Sequence, residues 1–249
     1  MRIAISGYGR MGKLIYSMLR EEGKHQITAV IDPFSQNAEI TNSRIDELNR
    51  EVADVVIDFT TPDAVRENVK RYIEIGMPAV IGTTGASFDD LQSPYAPIIT
   101  SGNFSIGVSL FISLVKKAGE LVNSLPSYDA AITEIHHRNK ADSPSGTALM
   151  AANALIDVLE RKNEIIAGNP EGKIRENQLQ ISSLRVGSVP GEHTITLDSD
   201  SDTITITHTA RNRNGFASGA IKAAEWIITC PPGFYTMDDF ISNPGGSHD

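Results

Sequence analysis

From Glu134 to Leu149 the chain reads Glu-Ile-His-His-Arg-Asn-Lys-Ala-Asp-Ser-Pro-Ser-Gly-Thr-Ala-Leu, which sets two imidazoles, an ammonium group and a helix opening side by side. An imidazole titrates near neutral pH and serves as a general acid or base, and a lysine kept near another cation can hand on a proton in the same range. His136 and Lys140 are therefore the candidates for proton transfer. Successive strand residues point to opposite faces, so His136 and His137 have separate tasks unless the strand ends between them. Pro144 breaks what precedes it, Ser145 can cap, and Leu149, Ala152, Leu155, Ile156 and Leu159 recur at helical spacing. The amides of Gly146 and Thr147, in the first turn, together with the helix dipole, suit a carboxylate. Ser145, Gly146 and Thr147, at this helix start, are thus candidate substrate contacts, with Lys140 supplying formal charge.

Two other chemistries fit this segment less well. His136, His137 and Asp142 could ligate a metal, but adjacent histidines at a strand end do not reproduce the helical H-x-x-x-H spacing, and no cysteine or second acidic cluster joins them. No metal is expected. Ser145 lacks the G-x-S-x-G elbow of a nucleophilic hydrolase.

A second cluster lies at the start of the chain. Gly7-Tyr8-Gly9-Arg10-Met11-Gly12 has the G-x-G-x-x-G spacing, follows an apolar run and opens a helical pattern, with Asp32 twenty positions after Gly12. In this arrangement Gly7 permits a tight turn, Gly9 lets backbone approach a pyrophosphate, and Gly12 lets helix and strand pack closely. Asp32 would accept hydrogen bonds from ribose hydroxyls and repel a 2′-phosphate, so NADH is expected ahead of NADPH, with Arg10 or Lys13 as the groups able to reach such a phosphate. Gly82-Thr83-Thr84-Gly85 and Ser101-Gly102-Asn103-Phe104 each follow a short apolar run, where open α/β sheets bind ligands, and they suit the nicotinamide half of such a cofactor. The same residues also serve ordinary turns.

These sites need elements to hold them. Over the first hundred residues short apolar runs (Ile3 to Ser6, Ile27 to Ile31, Ala53 to Phe59, Pro78 to Ile81, Pro97 to Thr100) alternate with helices from Arg10 to Glu22 and from Pro62, the rhythm of a parallel α/β sheet. Val55-Val56-Ile57 and Ala79-Val80-Ile81 do not alternate, as expected of strands covered on both faces. After a helix from Ile106 to Val122 the texture changes. Ala130 to Ile135, Leu179 to Val186, His193 to Asp198 and Thr203 to His208 alternate apolar with polar residues, which predicts a mostly antiparallel sheet in a second, α+β domain. A last helix spans Phe216 to Thr229.

With 249 residues, 40% of them apolar, the chain can build one large or two modest cores. A formal charge of −9 disfavours nucleic-acid and anionic-membrane partners, so any anion must be bound locally. A single cysteine, Cys230, precludes an internal disulfide and suits a reducing compartment. A strand directly at the N-terminus and the lack of a membrane-length apolar run point to a soluble, cytoplasmic chain.

Gly-Tyr-Gly-Arg-Met-Gly, Val-Ile-Asp-Phe-Thr, Gly-Thr-Thr-Gly, Asn-Phe-Ser-Ile-Gly-Val and the whole His-His-x-x-Lys-x-Asp-x-Pro-Ser-Gly-Thr block resemble, in order, the signatures of the 4-hydroxy-tetrahydrodipicolinate reductase family. Arg185-Val186-Gly187, Gly191-Glu192-His193-Thr194 and Phe216-Ala217-Ser218-Gly219-Ala220 extend the resemblance over essentially the whole chain. It implies NAD(P)H-dependent reduction of a cyclic dicarboxylate, with loss of water, on the route to diaminopimelate and lysine. It implies that His136 gives and takes a proton, that Lys140 donates one, and that His137, Gly146 and Thr147 touch substrate. Gly7 through Gly12, Asp32, Gly82 through Thr84 and Ser101 through Phe104 match the family's cofactor positions. It further implies a Rossmann-type nucleotide domain (1–105 and 217–249), a substrate-binding and oligomerisation domain (106–216), and a homotetramer joined through the second sheet. Asp32-Pro33 departs from the acid-plus-arginine pair linked to use of both cofactors. A related dehydrogenase of another small acid would share the architecture without the Ser-Gly-Thr turn. A non-catalytic NAD(H)-sensing protein would bind the cofactor without turnover.

Overall fold

The computed structural model describes residues 1–37, 39, 41 and 44–245. The last four residues of the nucleotide domain expected from sequence, 246–249, lie outside the described residues, as do 38, 40, 42 and 43 in the segment after Asp32. Two compact units form, one from Met1–Ile106 with Asn214–Asp249, the other from Gly107–Arg213.

In the first unit β1 (Arg2–Ser6), α1 (Arg10–Glu22), β2 (Gln26–Ile31), β3 (Val55–Asp58), α2 (Pro62–Glu74), β4 (Ala79–Ile81) and β5 (Pro97–Thr100) follow one another, and the chain leaves through α3 (Ile106–Asn123). The second unit continues with β6 (Asp129–His136), α4 (Gly146–Ile156), β7 (Glu164–Ala167), β8 (Gln178–Arg185), β9 (Glu192–Asp198) and β10 (Thr203–Thr209). The chain then rejoins the first unit as α5 (Asn214–Ile227), β11 (Gly233–Tyr235) and α6 (Met237–Ser242).

The first sheet, in the order β11-β5-β4-β3-β1-β2, is parallel throughout. Its apolar runs are explained by burial on both faces. Ile3, Ile5, Val55, Ile57, Val80 and Ile99 pack under α1 and α5, whereas the residues between them (Ala4, Val56, Ala79, Ile98) pack against Val65, Val69 and Tyr72 of α2. Thr61 and Pro62 open α2 as their types suggest, although the Thr61 side chain makes no cap bond.

The second sheet runs β10-β9-β6-β8-β7. It is mixed, a correction to the mostly antiparallel sheet expected: β10, β9 and β6 are antiparallel, but β6-β8 and β8-β7 are parallel. Alternation reports one covered and one wetter face, and says nothing of a neighbour's direction. Helix α4 lies between β6 and the next two strands in the chain, and such a crossover returns the chain parallel. The covered face packs Ile132, Leu179, Ile181 and Ile195 against Phe111 and Val115 of α3 and Ala151 and Leu155 of α4. Three short elements, β7, β11 and α6, carry no periodic signature in the sequence.

Candidate active site

In the first unit the glycine turn is held by backbone sterics. Gly7 has φ +86°, and a Cβ there would stand 2.6 Å from the Phe59 carbonyl oxygen; a Cβ on Gly12 would stand 2.0 Å from the Gly7 carbonyl oxygen. Gly9, by contrast, has nothing within 4 Å of its missing side chain, so a ligand can approach its backbone. Gly9 is also the N-cap of α1 and brings no side-chain cap, which leaves the first-turn amides of Arg10, Met11 and Gly12 without an intrahelical acceptor. Asp32 is tied to the turn: its carboxylate accepts from the Tyr8 amide and from the Phe34 amide, each at 2.8 Å. A cavity of about 300 Å³ opens beside them, lined by Gly7, Gly9, Asp32, Phe34, Ile45 and Asn68 among others. Its opening glycines, acid and apolar walls fit an adenosine and its pyrophosphate. The Tyr8 ring is buried against Tyr16, 5.6 Å between centroids, so Tyr8 contributes to the turn through its backbone.

The loops Gly82 to Gly85 and Ser101 to Phe104 meet at a second cavity of about 750 Å³, lined by Thr83, Thr84, Ser101 and Gly102 with Tyr235 of β11. Gly82 is needed because a Cβ there would strike the Phe59 ring at 2.1 Å. The Thr83 hydroxyl donates to the Thr60 carbonyl at 3.1 Å. Asn103 is folded onto Ser101, its amide donating to the Ser101 hydroxyl at 3.0 Å. Phe104 is 2% exposed and belongs to the core, packed 6.3 Å from Phe59, so its ring supports the loop from beneath.

In the second unit β6 ends at His136, and the chain turns over His137 to Lys140, where the Lys140 amide donates to the His137 carbonyl at 3.0 Å. His136 is buried and His137 half-buried, with Nδ1 of His137 buried and unpaired among the described residues. The inward positions of β6 are Ala130, Ile132, Glu134 and His136. Glu134, completely buried, hydrogen-bonds through Oε2 to His136 Nδ1. Its Oε1 accepts from Arg185 at 2.7 Å and from the Ser145 amide at 3.3 Å. Strand pairing explains the grouping, since Arg185 stands opposite His136 across β8 and His193 opposite Glu134 across β9. Burial pushes the Glu134 carboxyl up, but the bonds from Arg185 and His136 outweigh it and hold it below the usual range. Burial drives His136 below the ordinary imidazole range despite that carboxylate, and drives His193 down to about 4. The site therefore holds an anionic carboxylate and neutral imidazoles.

Lys140 reaches Asp142 at 2.8 Å, and this ammonium in turn keeps the Asp142 carboxyl below its ordinary range. Ser145 is the N-cap of α4: its hydroxyl accepts from the Ala148 amide at 3.2 Å and lies 3.1 Å from His193 Nε2. At 2% exposure it shapes the turn from behind, which leaves Gly146 and Thr147 to present the helix N-terminus. Glu134, His136 and His193 bring ligand atoms within 4.8 Å of one another, near enough for a metal ion. Both Glu134 oxygens are already occupied, one by an arginine, an arrangement that favours proton handling over cation binding. Glu134, Arg185 and His193 carry no recognisable spacing in the sequence. The signals available are a carboxylate at an inward position of an alternating strand and the place of Arg185 and His193 in blocks that carry the family resemblance.

A parallel nucleotide-type sheet with a bare glycine turn, joined in one chain to a buried carboxylate and imidazole cluster, fits an oxidoreductase that uses a nicotinamide cofactor. The sequence matches the families described as dihydrodipicolinate reductase, N-terminus, over residues 1–104 and dihydrodipicolinate reductase, C-terminus, over residues 107–241. It is 38% identical to the 4-hydroxy-tetrahydrodipicolinate reductase of Archaeoglobus fulgidus, covering 97% of this chain and 100% of that one. It is 37% identical to the enzyme of the same name from Caldanaerobacter subterraneus subsp. tengcongensis, covering 97% and 98%. A dipicolinate-bound dihydrodipicolinate reductase from Paenisporosarcina sp. TG-14 superposes with a TM-score of 0.75 at 22% identity over 95% of this chain and 97% of that one, a likeness of fold. The chain belongs to the dihydrodipicolinate reductase family and is an NAD(P)H-dependent reductase of the diaminopimelate and lysine route.

Proposed function

We propose that this chain reduces 4-hydroxy-tetrahydrodipicolinate to tetrahydrodipicolinate with NADH ahead of NADPH, with His136 and Lys140 handling protons. The observation that carries the residue assignment is the single segment in which a buried His136, a Lys140 and the N-terminus of α4 follow one another. A cyclic substrate with two carboxylates accounts for such a cationic turn in a chain of net charge −9.

The first unit, Met1–Ile106 with Asn214–Asp249, serves as the dinucleotide-binding domain, and the second, Gly107–Arg213, as the substrate-binding and oligomerisation domain, each within three residues of the bounds expected from sequence. Gly7 to Gly12 hold the pyrophosphate, Asp32 the adenosine ribose, and Gly82 to Thr84 with Ser101 to Phe104 the nicotinamide half. When bound, the cofactor supplies a hydride. The substrate ring gives up its 4-hydroxyl as water, and the unsaturated ring that receives the hydride takes up one proton, for which Lys140, or His136 once protonated, is the candidate donor, while His137 and the Gly146 and Thr147 amides hold carboxylate and Ser145 sets their turn. Among the described residues no helix is long and apolar enough to cross a membrane. We place the enzyme in the cytoplasm as a homotetramer joined through the second sheet, where Leu184, Val186 and Ile204 are exposed.

The test couples the purified protein to dihydrodipicolinate synthase with pyruvate and aspartate semialdehyde. Absorbance of NADH falls if the assignment holds; cofactor binding without that fall would indicate a sensor. Asp32→Ala should weaken NADH more than NADPH, by about tenfold in their ratio for loss of paired hydrogen bonds, and an unchanged ratio removes Asp32 from the preference.

A further inference from the structure

We propose that Glu134 and Arg185 are positioning residues that fix the His136 imidazole with its proton on Nδ1, making Nε2 the atom that exchanges protons. The inference rests on the reading of His136 as the proton-handling group.

The geometry allows little choice. Glu134 and His136, two apart on β6, face the same side, and the carboxylate is completely buried. A buried carboxylate stays ionised when it is paired and hydrogen-bonded, and here Arg185 and the Ser145 amide both take Oε1. An ionised carboxylate only accepts, so the bond between Oε2 and Nδ1 requires the proton on the imidazole. The Nε2 lone pair is then the free one. On that side stands Gly191, with φ +156°, and a Cβ there would lie 3.0 Å from Nε2. Glycine therefore keeps the space over the working atom clear. Arg185 also donates to the Asp142 carbonyl at 2.7 Å, so the same guanidinium ties down the loop that carries Lys140. The charged and titratable groups around His136 are Glu134 on its own strand, Arg185 on β8, His193 on β9 with its ring 5.1 Å away, and Lys140 in the following loop.

The first measurement is nitrogen-15 NMR of the intact protein, with the His136 ring signals assigned by their loss in His136→Gln. A protonated Nδ1 and an unprotonated Nε2 support the proposal; the reverse tautomer overturns it. The second is Glu134→Gln. Loss of the carboxylate removes what raises the His136 pKa, so the pH limb of kcat belonging to His136 moves to lower pH by about one unit. Turnover falls about 100-fold or more, as expected for a misdirected imidazole, while the substrate KM and NADH Kd stay within about threefold. A kcat within threefold of the parent with an unmoved limb overturns the proposal. If Glu134→Gln does not fold, the NMR result on the parent decides alone. If His136→Gln itself keeps its turnover, the proton role of His136 fails whatever the tautomer, which separates the two failures.

Discussion

The two helix starts proposed to face anions are built in opposite ways. At α1 the N-cap is Gly9, which brings no side-chain bond and leaves open space above it. At α4 the N-cap is Ser145, whose buried hydroxyl is taken by the Ala148 amide and His193, with a carboxylate, an arginine and a second imidazole packed behind. The first turn offers backbone amides and open space, with no side-chain cap. The second packs titratable groups together, a carboxylate held anionic by its partners and two imidazoles held neutral by burial, which is what the proposed proton transfer requires. A reductase needs both: a rigid seat for a large cofactor, and a tuned donor for the proton that follows the hydride.

The largest expected effect breaks the first turn. Gly12→Ala puts a Cβ 2.0 Å from the Gly7 carbonyl oxygen, and backbone cannot yield as a side chain can. NADH binding, followed by fluorescence titration, should weaken at least about 100-fold, with unfolding stability lower by about 1–3 kcal/mol from overpacking. Wild-type affinity would show that the turn has slack which the geometry denies.

An intermediate effect belongs to the second turn. His193 titrates at about 4 in the fold against 6.5 in the unfolded chain, so the unfolded state takes up its proton first as pH falls. Its stabilising contribution is complete above pH 6.5 and is lost through the window down to 4, about 3 kcal/mol in all. His136 and His208, also lowered by burial, act in the same sense. Denaturant unfolding between pH 7 and 4 should therefore show a steep acid loss that is clearly shallower in His193→Asn; parallel slopes would contradict the assignment.

The smallest effect sharpens the contrast between caps. Ser145→Ala removes the bond to the Ala148 amide and costs about 1–2 kcal/mol. Turnover should fall less than in variants of His136, since the hydroxyl faces His193 and the helix. A loss equal to that of His136→Gln would make Ser145 a direct participant.

The first turn was legible in the sequence because most of its demands are local: Gly7 is dictated by its positive φ, Gly12 by its clearance from the Gly7 carbonyl, and Asp32 by the end of the next strand. His136, Lys140 and the Ser-Gly-Thr opening were legible for the same reason. Arg185, 51 positions from Glu134, joins it only through parallel pairing of β6 with β8. Alternation shows which face of a strand is buried but not which strand lies beside it, so both the mixed sheet and the group behind His136 emerge only in three dimensions. The short β7 and β11 are strands because neighbours supply their hydrogen bonds, a cause outside their own residues.

The central claim is that cofactor seating and proton handling are lodged in separate turns. It is tested most directly by mixing His136→Gln with NADH and enzymatically generated substrate, and following a single turnover. The account predicts an NADH Kd within about threefold of the parent and hydride transfer slowed about 100-fold or more. Transfer at near-parental rate, or loss of NADH binding together with the rate, would contradict it.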